Sequence, residues 1–321
     1  MRWHINDYFR PRTEGKALEN RRTYRYKWGP RKDNGMTTVN WALTRTMGLV
    51  LVIGCCVLIP SRLDCQSGPP SQPKPPAAEG SAQELAKKLS NPVASLISVP
   101  FQSNFDFGLG PNEDGFRYTL NFQPVIPITL TANWNLISRT ILPVIHQSDV
   151  IDASSQTGLG DTVQSFFLSP NKTKPFIWGV GPVFLIPTAT DHLLGSQKFG
   201  IGPTGVILKQ EGHWTYGLLF NHVWSIAGAH NRADVSSTFL QPFFSYTTKS
   251  AWTFGLNTES SYDWTAEQWS APLHLTATKV LKLGKLPVSA GGGLRCWAAS
   301  PTGGPQGCGL RLIVTALFPK G

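Results

Sequence analysis

The chain has 321 residues, room for one large domain or two ordinary ones. Only 15% of them are charged, well under the ~25% of soluble domains, while 31 glycines, 25 prolines and 11 tryptophans suit many short strands and turns. The net charge of +10 does not mark a nucleic-acid binder: residues 1–35 hold 10 basic and 4 acidic residues, or +6, and contain no recognition motif.

Residues 1–35 read as a basic leader dotted with aromatics. Met36 opens a different kind of sequence, with a polar start carrying Arg45, then the apolar run Met47–Ile59, then Pro60. A basic start and an apolar run of this length form a secretory signal. The run is too short to cross about 30 Å of hydrocarbon. Residues 36–65 are therefore read as a signal peptide. Translation then starts at Met36, and 1–35 is an over-extended start; a genuine basic leader is the alternative. Cleavage after Cys65 lacks a small residue at −3. Val52–Cys55 looks like a lipoprotein box that would place lipid on Cys55, although the apolar run continues past it.

Residues 66–80 read as a Pro-rich extended linker. A short amphipathic helix is expected over 81–92. Ser81 and Glu84 form a capping box, Leu85 and Leu89 share a face, and Asn91-Pro92 ends it. Such a helix is normally a packing element, with a plug or gate as the alternative.

From residue 93 to the end, strand signals dominate. In Gly115–Leu136, Phe116, Tyr118, Leu120 and Phe122 alternate with Arg117, Thr119, Asn121 and Gln123. Successive strand residues point to opposite faces, so this reads as two half-apolar strands joined by a tight turn at Pro124–Pro127. Trp214, Tyr216, Leu218, Phe220 and Trp224 share a face, as do Leu310, Leu312, Val314, Ala316 and Phe318. Thirteen segments carry such patterns. An even number is usual for a bacterial single-chain barrel, so twelve strands are expected, with either the first segment a lead-in or 127–143 one long bent strand.

The apolar faces pack against a core or against lipid. The opposite faces carry Thr, Asn, Gly and Ser, too polar and small for a second packed layer. Tryptophans recur near strand ends (Trp134, Trp178, Trp224, Trp252, Trp297), as interfacial girdles require. The fold class read from the sequence is all-β: an antiparallel transmembrane barrel of about twelve strands over 93–321. A secreted β-sandwich is the rival.

In a barrel, an arginine on the lipid face at mid-depth costs roughly 2–4 kcal/mol. Arg117, Asn121, Gln123, Glu259, His274, Arg295 and Arg311 are therefore expected to line the lumen, while Arg139 sits in a strand too mixed to assign. Gly158, Gly160 and Asp161 read as a turn into a strand, with Asp161 bonding the local backbone. Cys296 and Cys308 face each other across a final hairpin, either bonded or as free thiols. No cofactor, metal or catalytic residue is expected. A barrel-embedded lipid hydrolase is an alternative, with His274 the first residue to test.

Several phrases also resemble a known family: Asn91–Gly108, Gly158–Asp161 with Phe166–Pro170, Gly179–Asp191 and Leu194–Leu208. They look like the bacterial outer-membrane family named for the meta-cleavage pathway of phenol degradation, whose members are often labelled transporters and sometimes mislabelled neuromedin U. The resemblance covers roughly 81–318. It implies an outer-membrane barrel passing or binding small apolar or aromatic solutes, with no catalytic residues. The partners expected are outer-membrane lipid, such solutes and the barrel-assembly machinery, not nucleic acid. The family's terminal aromatic is represented by Phe318, with three residues trailing. A structural surface barrel without transport is the competing function.

Overall fold

A computed structural model describes residues 77–151, 154–171 and 175–318. The leader, the secretory segment and most of the linker lie outside the described residues. One helix, α1 (Ala77–Leu89), precedes fifteen strand segments. These are β1 (Ile97–Leu109), β2 (Gly115–Phe122), β3 (Val125–Thr129), β4 (Trp134–Ser148), β5 (Ser155–Leu159), β6 (Thr162–Pro170), β7 (Ile177–Ile186) and β8 (Lys198–Glu211). They continue with β9 (Trp214–Gly228), β10 (Ser236–Thr247), β11 (Trp252–Thr258), β12 (Ser260–Asp263), β13 (Gln268–Leu283), β14 (Leu286–Ala299) and β15 (Cys308–Phe318).

Three pairs of segments are single strands with a local break: β2/β3 and β11/β12 share both neighbours, and β5/β6 share β4. Fifteen segments thus make twelve antiparallel strands, each paired with its neighbours in the chain, and β1 pairs with β15 to close the barrel. The breaks have chemical causes. At β2/β3, Pro124 has no N–H to give the ladder, yet pairing resumes at once: Gln123 N donates to Pro100 O and Thr140 N to Pro124 O. At β11/β12 the register sets Glu259 opposite Pro272, which again lacks a donor.

This corrects the expected tight turn at Pro124–Pro127. The strand runs through it to Thr129, and the turn lies at 130–133, where Leu130 N and Thr131 N donate to Trp134 O. Nor is 127–143 one long bent strand: 127–129 belong to the preceding strand, and Trp134 opens the fifteen-residue β4. The helix also starts earlier than expected, at Ala77, so Ser81 lies within it rather than at its cap.

The two ends of the barrel differ. Connections at the end holding Ile97 and Phe318 are short, and two are two-residue turns in which Gly212 (φ 54°) and Gly284 (φ 62°) adopt the left-handed backbone such turns need. Connections at the other end are longer on the whole, the longest spanning residues 187–197. Short periplasmic turns and long extracellular loops are the rule for outer-membrane barrels, so α1 and both ends of the barrel sequence lie on the periplasmic side.

Alternation decides which face meets what. Phe101, Phe107, Phe220, Trp224, Phe254, Leu256, Leu273, Leu275, Leu294, Leu310 and Leu312 are exposed on the outer surface. Gln102, Asn104, Asp106, Gln147, His274, Arg311 and Thr315 are buried inside. Aromatic pairs run along the outer face, Phe101–Phe122, Phe105–Tyr118 and Phe107–Phe116 among them. An exposed apolar surface this continuous marks a non-aqueous environment. In hydrocarbon only closed barrels and helices satisfy every backbone group, and among the described residues no helix is long and apolar enough to span.

Leu275, 60% exposed in the middle of β13, reports on that environment. Leu275→Arg should lower the unfolding free energy in lipid vesicles by about 2–4 kcal/mol, read from denaturant titration. A water-facing site would change by only about 0.5 kcal/mol.

Candidate functional site

The barrel interior is layered. At the periplasmic end α1 packs against the wall: Ala86, Ala94 and Leu96 cluster with Ala251, Val280 and Leu317, with Ala82, Leu85 and Leu89 alongside. Gln210 Nε2 donates to Lys87 O at 2.8 Å, tying the helix to β8. The segment that follows carries Val93 into a second apolar cluster with Ile137, Phe167, Val206, Leu208 and Leu219. Ser95 Oγ accepts from Asn135 Nδ2. Leucines and alanines spaced along one helical face thus fill the barrel's lower mouth.

A polar girdle crosses the middle. Arg311, 2% exposed, is gripped by Glu259 with two bonds of 2.8 Å, and its Nε donates to Asn104 Oδ1 at 2.7 Å. In the sheet β13 and β14 separate the strands that carry Arg311 and Glu259. Strands are about 4.8 Å apart along the wall, so this pair reaches across the interior rather than along it. Beside it, Asp106 Oδ1 accepts from Arg295 Nε at 2.8 Å and from Trp297 Nε1 at 3.0 Å. Arg295 Nη1 lies 3.7 Å from Glu259, joining the two pairs. Bidentate guanidinium–carboxylate contacts fix position as well as charge. A buried ion pair is nonetheless a weak source of stability once desolvation is counted.

His274, 0% exposed, belongs to this girdle. Its Nδ1 is 2.7 Å from Asn257 Oδ1 and its Nε2 is 2.9 Å from Arg295 Nη1. A guanidinium only donates, so Nε2 accepts and the ring proton goes from Nδ1 to Asn257. Both ring nitrogens are engaged.

The remaining sequence candidates fall as follows. Arg117, directly opposite Asp106 in the β1–β2 register, donates to Gln147 Oε1 at 2.9 Å, and Gln147 passes the bond on to Gln156. Asn121 pairs in register with Gln102, on the inward parity of β2. Gln123 accepts a 3.5 Å contact from Arg139 Nη2. Arg139, unassigned from the sequence, thus points inward. Trp297 was expected in the lipid girdle but bonds Asp106 inside, because its parity on β14 is that of Arg295. Cys296 and Cys308 are bonded, facing each other in register between outward Leu294 and Leu310.

Gly158, Gly160 and Asp161 correct the turn reading. They lie at the β5/β6 break, and Asp161 bonds residues far away in sequence: Ser196 N and Oγ, both at 2.6 Å, and Ala189 N at 3.3 Å. The 187–197 loop folds onto the inner wall here. A Cβ on Gly158 would strike Thr190 Oγ1, and one on Gly160 would press on Pro143 and Ile145. These glycines make room for a loop. Arg232 Nη2 then donates to Gly195 O, and Lys198 pairs with Asp234 at 2.9 Å, knitting the extracellular rim.

Between α1 and the girdle lies a cavity of about 280 Å³. Arg139, Gln102, Gln123, Gln241 and Asn257 supply polar groups, and Leu96, Val125, Leu219, Phe243 and Val280 supply apolar ones.

Fold, apolar belt and polar interior together define an outer-membrane β-barrel. No family model and no curated protein matches the chain. Among solved structures it resembles the crystal structure of an outer membrane channel from Pseudomonas putida F1, with TM-score 0.54 and 16% identity over 70% of this chain and 94% of that one. The outer membrane phospholipase A from Escherichia coli aligns at TM-score 0.41 and 10% identity, over 69% of this chain and 90% of that one. A porin aligns at TM-score 0.34 and 10% identity, over 69% and 99%. The first likeness is one of fold; the other two are too weak to carry an argument.

Two changes probe the interior. Glu259→Gln strands a buried guanidinium and should cost about 3–5 kcal/mol in unfolding free energy, while the double replacement Glu259→Met with Arg311→Met should cost much less than the two single changes summed. Reduction of Cys296–Cys308 should remove roughly 2–3 kcal/mol, and peptide mapping without reductant should recover the two as one linked fragment.

Proposed function

We propose that the barrel is an outer-membrane channel for small apolar or aromatic solutes, moving by passive diffusion. The observation that carries this reading is the cavity between α1 and the girdle, which offers a solute both apolar walls and convergent polar groups. Its volume of about 280 Å³ sits near the low end of the ~300–1,000 Å³ of ligand pockets, which favours single-ring solutes. The solute class also follows the resemblance to the phenol meta-pathway family, and the fold likeness to the Pseudomonas putida channel supports the channel role. No step in this reading is catalytic, consistent with the engaged ring of His274.

In this reading passage requires movement at two places. The girdle spans the lumen, and α1 fills the periplasmic mouth. The helix is the weaker barrier, since it is held by small side chains around Ala86 and by few hydrogen bonds.

Planar-bilayer recording tests the proposal. The folded protein should give discrete conductance steps, and vesicles carrying it should swell in small aromatic solutes faster than in disaccharides. Ala86→Glu sets a carboxylate against Ala251, Val280 and Leu317, where burial is costly, so it should dislodge the helix and raise conductance several-fold. A folded barrel that neither conducts nor swells vesicles would favour the structural reading instead.

A further inference from the structure

Charge inside the barrel does not balance. The interior holds four arginines (Arg117, Arg139, Arg295, Arg311) and three acids (Asp106, Asp161, Glu259), a difference of +1, and Asp161 is bonded to the 187–197 loop. Asp106 and Glu259 hydrogen-bond Arg295 or Arg311. Arg117 stands directly across from Asp106 in the β1–β2 register and bonds Gln147, while Arg139 feels Glu259 only at longer range and hydrogen-bonds the neutral amide of Gln123. The bond that Arg139 makes to Gln123, at 3.5 Å, is at the outer limit of a hydrogen bond.

Arg139 opens onto the cavity. Its lining includes Lys88 as well, but no aspartate or glutamate. Ser245 lines the same cavity, 8% exposed, with a hydroxyl that has no hydrogen-bond partner among the described residues. Buried polar groups are ordinarily satisfied. A buried cation that no carboxylate hydrogen-bonds is likewise short of a partner, and Arg139 has Glu259 only at longer range. A guanidinium is a planar fork that matches a carboxylate with two parallel bonds. Val125, Leu219 and Phe243 supply an apolar wall for whatever the carboxylate is attached to.

We propose that the cavity is a binding site for small monocarboxylates with an apolar, ring-sized body, the carboxylate held by Arg139. The inference deepens the channel reading by naming the solute's charge, and rests on that reading only for the direction of travel.

Calorimetric titration of the folded full-length protein in detergent micelles tests it, with benzoate as probe and benzamide as its uncharged counterpart. Benzoate should bind at least tenfold more tightly than benzamide at neutral pH. Arg139→Gln should weaken benzoate at least tenfold and leave benzamide unchanged, and Arg139→Lys should recover part of the loss. Heat-modifiable gel mobility confirms that each variant has folded. If Arg139→Gln does not fold, the comparison of the two probes on the unaltered protein still decides. Equal affinities, no benzoate binding, or an Arg139→Gln variant that binds benzoate normally would overturn the assignment. Benzoate binding by a protein that never conducts would refute the channel reading alone. Conductance without benzoate preference would refute this inference alone.

Discussion

The constraint on which this structure depends is that hydrocarbon offers nothing to hydrogen-bond. A strand edge left open in a membrane forfeits several kcal/mol per backbone group, so β1 must find β15. The register Ile97↔Phe318 to Phe105↔Leu310 does this, and every other pairing follows from carrying the chain round by hairpins. Some prolines, such as Pro100 and Pro242, sit in unbroken register, while Pro124 and Pro272 sit at breaks in the wall, and Glu259 lies opposite Pro272 at one of them.

Closure inverts the usual logic of burial. The leucines and phenylalanines of the outer face need no partner beyond lipid, so the energetic weight moves to the polar interior. There the girdle of Arg311, Glu259, Asp106, Arg295 and His274 must satisfy itself, and it does so with bidentate and shared bonds. Small residues in the wall have a related task. Gly158 and Gly160 leave space for the 187–197 loop, just as the alanines of α1 let the helix sit against the lower wall. The molecule thus carries its own segments against the wall at both ends and a charged girdle in the middle, with a cavity between α1 and the girdle.

Much of this was legible in the sequence, because strand alternation is a local signal. The outward set Phe116, Tyr118, Leu120 and Phe122 and the inward Arg117 could be read directly. The cysteine pair could be placed in register from hairpin parity, though not whether it was bonded. What failed were judgements resting on distant partners or on residue type alone. Pro124 looked like a turn because proline usually is one, but neighbouring strands hold the chain straight. Asp161 looked local because its partners at 189 and 196 come from another hairpin. Trp297 looked like a membrane anchor by type, while its parity with Arg295 turned it inward. Arg139 had no readable face until β4 was known to be one uninterrupted strand. The early start of α1 was hidden because Ala77–Gly80 lacks the capping residues that announce a helix.

The account's central claim is that one face of every strand meets lipid and the other meets a polar interior. Spin labels placed one at a time along β13, from Leu273 to Val280, in a background with its other cysteines replaced, test it most directly. Collision with lipid-soluble oxygen should peak at 273, 275, 277 and 279, and collision with a water-soluble nickel chelate should be low there. Uniform accessibility along the strand, or maxima at 274, 276 and 278, would contradict the account.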